Sequence, residues 1–484
     1  MVVGRSPNRP PLGLQPALAW TAILALFGVT ILGAFAGAGG LLRLFFPLGT
    51  FGVATLLYFR YPRLYLGFTW WTWILSPWIR RLIDYRSGWD EQGIVLLAPY
   101  FATLLTVLTF GRYFPTMLYR GGLPFILSAL AVLYAYCIGL LTNPWLGATV
   151  SLLEWLMPVM LAFHLFVHWG QYPQMRQNFE RVFFWGVLVT GAYGVVQYLV
   201  APEWDRFWLI NSNAVAFGTP EPLGIRVFST LNSPQPFGVF MMAGLILLLN
   251  HRSAGLMPAA GVGYLSFLLS AARSAWLGWL VAIVSFVPSL RPRLQMRLVV
   301  AIAVMSLCVV PLAAMPPFAD IIGQRLDSLS NTQDDVSYNA RVEGYSALMG
   351  RALTQGLGNG LGFVLESNSL GSNDSGILAM LFSLGWLGTL PYLGGLGMLM
   401  FRLFQLSAKT LDPFGSAARA IALAIFAQIG LNHVLAGIFG VLLWGFVGMG
   451  MAGRQYLLHQ AAIARQGLEP FPAVDSVVLS QHQR

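Results

Sequence analysis

Charged residues are scarce in this chain, where aspartate, glutamate, lysine and arginine together make up 10% of 484 residues. Soluble domains carry roughly 25% charged residues. Apolar side chains reach 57%, with a mean hydropathy of +0.67, and no soluble fold of this size could bury so much apolar surface. The shortage of charge therefore excludes a soluble protein and predicts a polytopic integral membrane protein.

Cysteine and lysine are nearly absent. The two cysteines, Cys137 and Cys308, lie in apolar stretches, so a disulfide framework and a zinc site are excluded, and we expect neither a metal nor a cofactor. Lys409 is the single lysine among 28 basic residues, and the arginines are scattered in small groups. This distribution is typical of membrane topology signals and argues against nucleic acid as a partner.

The apolar residues occur in continuous runs rather than in the alternating pattern of a membrane barrel. Each helical crossing needs ~20 apolar residues. The sequence therefore predicts an all-α bundle of about 12 to 14 transmembrane helices, from runs near 17–37, 44–59, 64–79, 93–111, 123–142, 146–168, 182–201, 235–250, 255–272, 274–290, 296–317, 376–401, 417–433 and 437–456. The short, Trp-rich run 64–79 could instead be re-entrant. We treat it as spanning because this keeps Arg291, Arg293 and Arg297 on the cytoplasmic side.

This topology gives a transmembrane catalytic domain at 17–456, with cytoplasmic tails at 1–16 and 457–484. It places two hydrophilic loops, at about 202–234 and 318–375, on the outer face of the membrane. Long loops in a compact protein are usually functional or disordered. We therefore expect the functional site in these two loops.

Four short motifs follow one another between about residues 180 and 400. They are Arg226-Val-Phe-Ser-Thr-Leu-Asn-Ser-Pro-Gln-Pro-Phe-Gly238, Leu269-Ser-Ala-Ala-Arg273-Ser-Ala-Trp276, Asn339-Ala-Arg341 before Gly356-Leu-Gly-Asn-Gly-Leu-Gly362, and Ser372-Asn-Asp374-Ser-Gly-Ile-Leu at a helix start. In this order and spacing they resemble the superfamily of O-antigen ligases and Wzy-type polysaccharide polymerases. The segment Pro77-Trp-Ile-Arg80-Arg81-Leu-Ile-Asp84 also resembles a stretch of such polymerases.

The resemblance implies a GT-C-like fold in the bacterial inner membrane, with the active site facing the periplasm. It implies a metal-independent glycosyltransferase that polymerises undecaprenyl-diphosphate-linked repeat units into exopolysaccharide or O-antigen. Ligases carry a histidine in the second loop, and this chain has none there, which favours a polymerase. The alternatives are an O-antigen ligase with a lipid A-core acceptor and a transporter or flippase of lipid-linked glycan. The implied partners are the lipid-linked donor, a glycan acceptor, the bilayer, and chain-length regulator or export proteins.

The resemblance also assigns roles to individual residues. Arginines suit a diphosphate clamp because a guanidinium stays charged and presents a planar fork of donors, and the candidates are Arg226, Arg273 and Arg341. Asp374 is the candidate general base for the acceptor hydroxyl, with Glu343 in reserve. These two acids, Arg226 and Arg341 form the predicted catalytic set. The predicted substrate-binding set adds Arg80, Arg81 and His433.

These candidates also have ordinary structural interpretations. They are a snorkelling arginine in a tight outer turn (Arg273), a loop arginine (Arg226), a surface ion pair (Arg341 with Glu343), a helix N-cap (Asp374) and a packing histidine at the outer end of a span (His433).

Two further features have open interpretations. Glu154 lies in an apolar run, where an ionisable residue is functional by default. It either pairs with an arginine or is protonated and structural. The Gly356–Gly362 stretch could form a backbone nest for phosphate oxygens, and we favour a mobile hinge that lets a long glycan pass.

Overall fold

The computed structural model describes residues 16–213, 215–249, 256–290, 348–364, 375–405 and 412–465, together with a few single positions between 292 and 346. Within these residues the secondary structure is helical and contains no β-strand, apart from one isolated bridge between Gly218 and Ile225. The all-α prediction is confirmed. The chain divides into two compact units, Met1–Leu105 and Thr106–Arg484.

Unit 1, residues 1–105, is built around a helical hairpin. Its elements are α1 (Ala17–Phe35), α2 (Gly39–Arg60), α3 (Pro62–Ser87), a 3-10 turn (Ile94–Leu97) and α4 (Ala98–Leu104). The rings of Tyr58 and Tyr65 lie 5.3 Å apart near the tip of the hairpin, and Gly39 N donates to Ser87 Oγ at 3.0 Å at its other end. The 26 residues of α3 extend over ~39 Å at 1.5 Å per residue. Because α3 follows α2 over its full length, the run 64–79 belongs to a long helix rather than to a re-entrant segment.

Unit 2, residues 106–484, holds the other helices of the described residues. They are α5 (Thr106–Met117), α6 (Leu123–Thr142), α7 (Trp145–Val167), α8 (Tyr172–Val200), α9 (Glu203–Asn211), α10 (Pro234–Leu248), α11 (Leu256–Leu269), α12 (Arg273–Phe286), α13 (Gly376–Gln405), α14 (Pro413–Phe426) and α15 (Gly437–Arg465). The most extensive helix packing joins α7 with α15, α6 with α13 and α8 with α11, and α14 packs against both α12 and α15.

The helices have the lengths and the surfaces of membrane spans. In the described residues, eight helical segments are long and apolar enough to cross a bilayer: α1, α2, Ile94–Met117, α6, α7, Trp169–Val200, α13 and α15. The Trp-rich α3, which holds the predicted span 64–79, is not one of them, and the shorter apolar helices α10, α11, α12 and α14 accompany the eight. Their outward faces expose large apolar side chains such as Leu32, Leu141 and Val284, as expected where lipid replaces water as the solvent. The chain is a polytopic membrane helix bundle.

Unit 2 has two opposite ends, which we name after one residue at each. At the Asp412 end, Arg402 Nη1 donates to Gly121 O at 2.9 Å and Arg176 Nη1 donates to Asp412 Oδ2 at 2.8 Å. These bonds gather the first residues of α6, α8 and α14 with the last residues of α13. The Asn432 end gathers the loop before α10, the α11–α12 turn, the start of α13 and the α14–α15 loop. The sequence predicts that this second end faces the periplasm.

The α14–α15 loop, residues 427–436, departs from the sequence prediction. The apolar run 417–433 predicts a continuous helix, but α14 ends at Phe426 and a largely buried loop follows. Gly376 N, at the start of α13, donates to Ile429 O at 2.9 Å and to Asn432 O at 3.2 Å. These bonds satisfy loop carbonyls that a helix would have used internally, so tertiary contacts replace the last helical turns.

Candidate functional site

Arg226 connects the first loop to the turn between α11 and α12. Its Nη1 donates to Ala216 O at 2.7 Å, and its Nη2 donates to Ala271 O at 3.1 Å. The backbone is joined at the same place, since Val227 N donates to Leu269 O at 3.1 Å. The guanidinium fork is suited to this task because it can bond two separate oxygens at once.

Arg273 begins α12 directly after this turn. Ala271 has a φ of 49°, in the left-handed region that closes tight turns, and Ala272 N donates to Ser270 Oγ at 3.3 Å. Arg273 therefore lies two residues from the carbonyl that Arg226 binds. The Arg226 guanidinium and the N-terminus of α12 meet at one turn, and each of these features favours an anion. The predicted clamp residues Arg226 and Arg273 are thus brought together.

The loop after Arg226 is held by Gln197, near the end of α8. Gln197 Oε1 accepts from Phe228 N at 3.0 Å and from Ser229 N at 2.8 Å, while its Nε2 donates to the buried Asp205 at 2.8 Å. Sequence reasoning missed Gln197. The available signal was a single amide side chain in the apolar end of a helix that leads into a polar loop.

Asn432 connects the start of α12 to the buried α14–α15 loop. Its Nδ2 donates to Ser274 Oγ at 3.0 Å and lies 3.2 Å from Gln428 Oε1. Both Asn432 and Gln428 are buried, and a buried amide is retained only where its polar atoms find partners. The residue after Arg273 is therefore fixed to a second, distant part of the chain.

Arg341, Glu343 and Asp374 lie outside the described residues, so their predicted roles stay predictions. The structure does describe Tyr345 and Ser375, which follow Glu343 and Asp374 closely in sequence. The Tyr345 hydroxyl bonds Ser375 Oγ and donates to Gly430 O at 2.8 Å. Described parts of the second loop thus contact the α14–α15 loop, to which Asn432 belongs.

His433 lies deeper than the sequence predicts, while Glu154 lies within α7, in the apolar run where it is predicted. The His433 ring packs on Trp155 with centroids 5.2 Å apart, and Trp155 is near the middle of the 23-residue α7. The prediction that His433 sits at the outer end of a span is wrong, because α14 ends early and its loop folds back into the bundle. Within the described residues, His433 Nε2 is buried without a hydrogen-bond partner, and the carboxyl group of Glu154 makes no hydrogen bond or ion pair.

Arg80 belongs to a buried charge network inside unit 1. Arg80 Nε lies 3.2 Å from Asp84 Oδ2, its Nη2 donates to Asp90 O at 2.6 Å, and its guanidinium stacks over Trp89. Arg81 is fully buried. The contacts of Arg80 and the complete burial of Arg81 indicate structural residues, and we leave both out of the candidate site.

The Gly356–Gly362 stretch is packed between helices rather than free to move. Asn359 N donates to Phe382 O at 2.7 Å, Gly360 N to Ser383 O at 3.1 Å and Leu361 N to Ala135 O at 3.0 Å. Amides already bonded to protein carbonyls cannot cradle phosphate oxygens. These contacts make the stretch a structural joint. They agree with neither of the two predictions for it, the phosphate nest and the mobile hinge.

Comparison with known proteins assigns no family to this chain. A scan against models of protein families finds no match, and a search of curated proteins finds no similar sequence. The resemblance to ligases and polymerases therefore rests on the sequence motifs alone.

Proposed function

We propose that this chain is a membrane glycosyltransferase that polymerises undecaprenyl-diphosphate-linked oligosaccharide repeat units at the periplasmic face of the bacterial inner membrane. The observation that carries the proposal is that the Arg226 guanidinium binds the turn that leads into Arg273, the first residue of α12. Among the described arginines of the Asn432 end, these two belong to the motifs that resemble the family.

The chemistry requires a place for a negatively charged leaving group. When the bond between the donor sugar and the diphosphate breaks, the diphosphate oxygen takes the electron pair, and the acceptor oxygen forms the new glycosidic bond. Preorganised positive groups stabilise such developing charge most strongly where water is excluded. Arg226, Arg273 and the first N–H groups of α12 would serve this purpose, with Arg341 as the third predicted clamp residue.

The acceptor hydroxyl must lose its proton as it attacks, so a carboxylate within hydrogen-bond reach is needed. Asp374 remains our candidate base and Glu343 the reserve. The contacts of Tyr345 and Ser375 support this assignment, because these neighbours in sequence reach the loop that Asn432 ties to the start of α12. The proton would pass from the acceptor oxygen to the carboxylate.

The test is incubation of the purified protein in lipid nanodiscs with lipid-linked oligosaccharide, followed by separation of the products by length. A ladder of products identifies a polymerase. Transfer of one glycan to an added lipid A-core acceptor identifies a ligase, and an unchanged substrate that crosses the bilayer identifies a transporter. Either of the last two results would overturn the polymerase assignment.

Variants test the clamp in the same assay. We expect Arg226→Ala and Arg341→Ala to lower chain extension by at least tenfold, since a charge-assisted bond to phosphate is worth about 1.4 kcal/mol or more. Arg206→Ala is the matched control, because Arg206 also donates to two backbone carbonyls of this region, Ala201 O and Val200 O. Normal ladders from both clamp variants would contradict the proposal.

A further inference from the structure

A second basic site lies at the opposite end of unit 2 from the candidate active site. A cavity of about 530 Å³ opens at the Asp412 end, between the last turns of α13 and α15 and the segments that precede α6 and α8. Its walls include Arg120, Trp169, Arg402, Arg454 and His459. Such a volume is typical of pockets that hold a small-molecule ligand.

The cavity is strongly positive. Three arginines line it, and no aspartate or glutamate stands among its described lining residues. The carboxylates nearby in unit 2 are engaged elsewhere: Asp412 accepts from Arg176 Nη1 at 2.8 Å, and Glu180 lies 3.7 Å from Arg176 Nε. Three guanidinium groups around one space repel each other, and the described lining residues supply no counter-charge.

The arginines also keep donors for a ligand. Arg402 uses Nη1 for Gly121 O. In the part of the chain that the structure describes, the exposed Arg120 side chain makes no hydrogen bond, and Arg454 Nε is buried without an acceptor. A buried donor without an acceptor is unfavourable and calls for an unseen partner.

We propose that this cavity binds a phosphate-bearing anion. Arginine is the side chain best suited to phosphate because its planar donors match the phosphate oxygens. The same chemistry is offered by the headgroup of an anionic phospholipid and by a soluble diphosphate. Basic pockets between transmembrane helices commonly hold anionic headgroups. The site goes beyond the proposed transferase function, since its residues lie at the other end of the helices from Arg226 and Arg273.

Two probes separate the two sources. Inorganic diphosphate is titrated into protein held in nanodiscs of phosphatidylcholine alone, and cardiolipin is added to a second set of phosphatidylcholine nanodiscs. The thermal unfolding midpoint is measured in each, and native mass spectrometry counts retained cardiolipin. A rise with diphosphate identifies a soluble ligand, and a rise with cardiolipin alone identifies a lipid headgroup. No rise with either probe overturns the proposal.

Two variants locate the effect. We expect Arg454→Gln and Arg120→Gln each to weaken binding of the effective probe by about tenfold. Arg120 is exposed and makes no described side-chain contact, so its variant keeps the fold even if Arg454→Gln does not. Arg465→Gln, which removes the same charge from an exposed position of α15 outside the cavity, should bind like the wild type. Equal binding by Arg120→Gln and the wild type, together with equal binding by any folded Arg454→Gln, would overturn the site.

Discussion

Gly358 and Gly385 lie backbone against backbone. A Cβ atom on Gly358 would lie 2.5 Å from Gly385 N, and one on Gly385 would lie 2.2 Å from Gly358 N. Both residues have positive φ, 78° and 60°, a region that side chains other than glycine rarely adopt. The second loop is therefore inserted into a kink of α13 and joined there by two glycines.

This joint predicts a large effect of a single methyl group. We expect Gly385→Ala to destabilise the protein by about 2 kcal/mol or more, because it adds both a backbone clash and an unfavourable φ. Gly394→Ala is the control in the same helix, since nothing lies within 4 Å of its Cβ position and alanine favours helix. Thermal unfolding in detergent measures both, and equal midpoints would contradict the close contact.

Asp84 predicts a second stability effect, in unit 1. This fully buried carboxylate lies 3.2 Å from Arg43 Nη2 and 3.2 Å from Arg80 Nε. Asp84→Asn leaves two guanidinium groups without their shared counter-charge, and loss of one partner from a buried ion pair costs roughly 3 kcal/mol. Glu91→Gln, at an exposed position nearby in sequence, should leave the unfolding midpoint unchanged. A midpoint for Asp84→Asn within one degree of the wild type would show that the network is not needed.

Asp412 combines a helix cap with an ion pair. Its Oδ1 accepts from Gly415 N at 2.8 Å as the N-cap of α14, and the carboxylate also accepts from Tyr172 and Arg176. Asparagine caps a helix nearly as well as aspartate. Asp412→Asn should therefore lose stability only through the charged contact, while Asp412→Ala should lose about 2 kcal/mol from all three.

The measurement for Asp412 is the order of three unfolding midpoints: wild type, then Asp412→Asn, then Asp412→Ala. Glu180→Gln is the control, since Glu180 and Arg176 form only a partly exposed pair at 3.7 Å, and such pairs contribute little. If Glu180→Gln and Asp412→Ala unfolded together, the capping role would be refuted.

Arg226 provides a test of geometry rather than charge. Arg226→Lys keeps the positive charge but replaces a fork that bonds two carbonyls, Ala216 O and Ala271 O, with one flexible ammonium. We expect chain extension to fall about tenfold or more. Arg206→Lys makes the same change at an arginine that also bonds two carbonyls, and should extend chains normally. Full activity in Arg226→Lys would mean that charge alone suffices.

The helical class of the chain could be predicted from hydropathy because a bilayer leaves few choices. A backbone in hydrocarbon must satisfy its own hydrogen bonds, so long apolar runs become helices. Hydropathy fails to predict a helix where other parts of the protein, rather than lipid, surround the backbone and supply hydrogen-bond partners. The run 417–433 is apolar throughout most of its length, yet the helix ends at Phe426. Beyond it, carbonyls of the α14–α15 loop accept from Gly376 N, at the start of α13, instead of from their own helix.

Only part of the candidate site could be predicted from the sequence. The pairing of Arg226 with the turn before Arg273 follows the order of the motifs, which the sequence shows. Nothing in the sequence indicates that Asn432 reaches Ser274, 158 residues away. Partners of this kind depend on how helices pack, and packing is not encoded in any local pattern.

The sequence by itself determined that this chain is a membrane helix bundle with polar loops, since composition and run length are enough to choose lipid over water as the solvent. Only the tertiary structure decided what the charges do. Arg80 and its buried partner Asp84 belong to a structural network, and His433 packs on Trp155 near the middle of α7. Arg454 lines a cavity whose described walls hold no carboxylate. The physical reason is that a charge in a membrane protein takes its role from the partners it meets, and some of these, such as Arg43 for Asp84, lie far away in sequence.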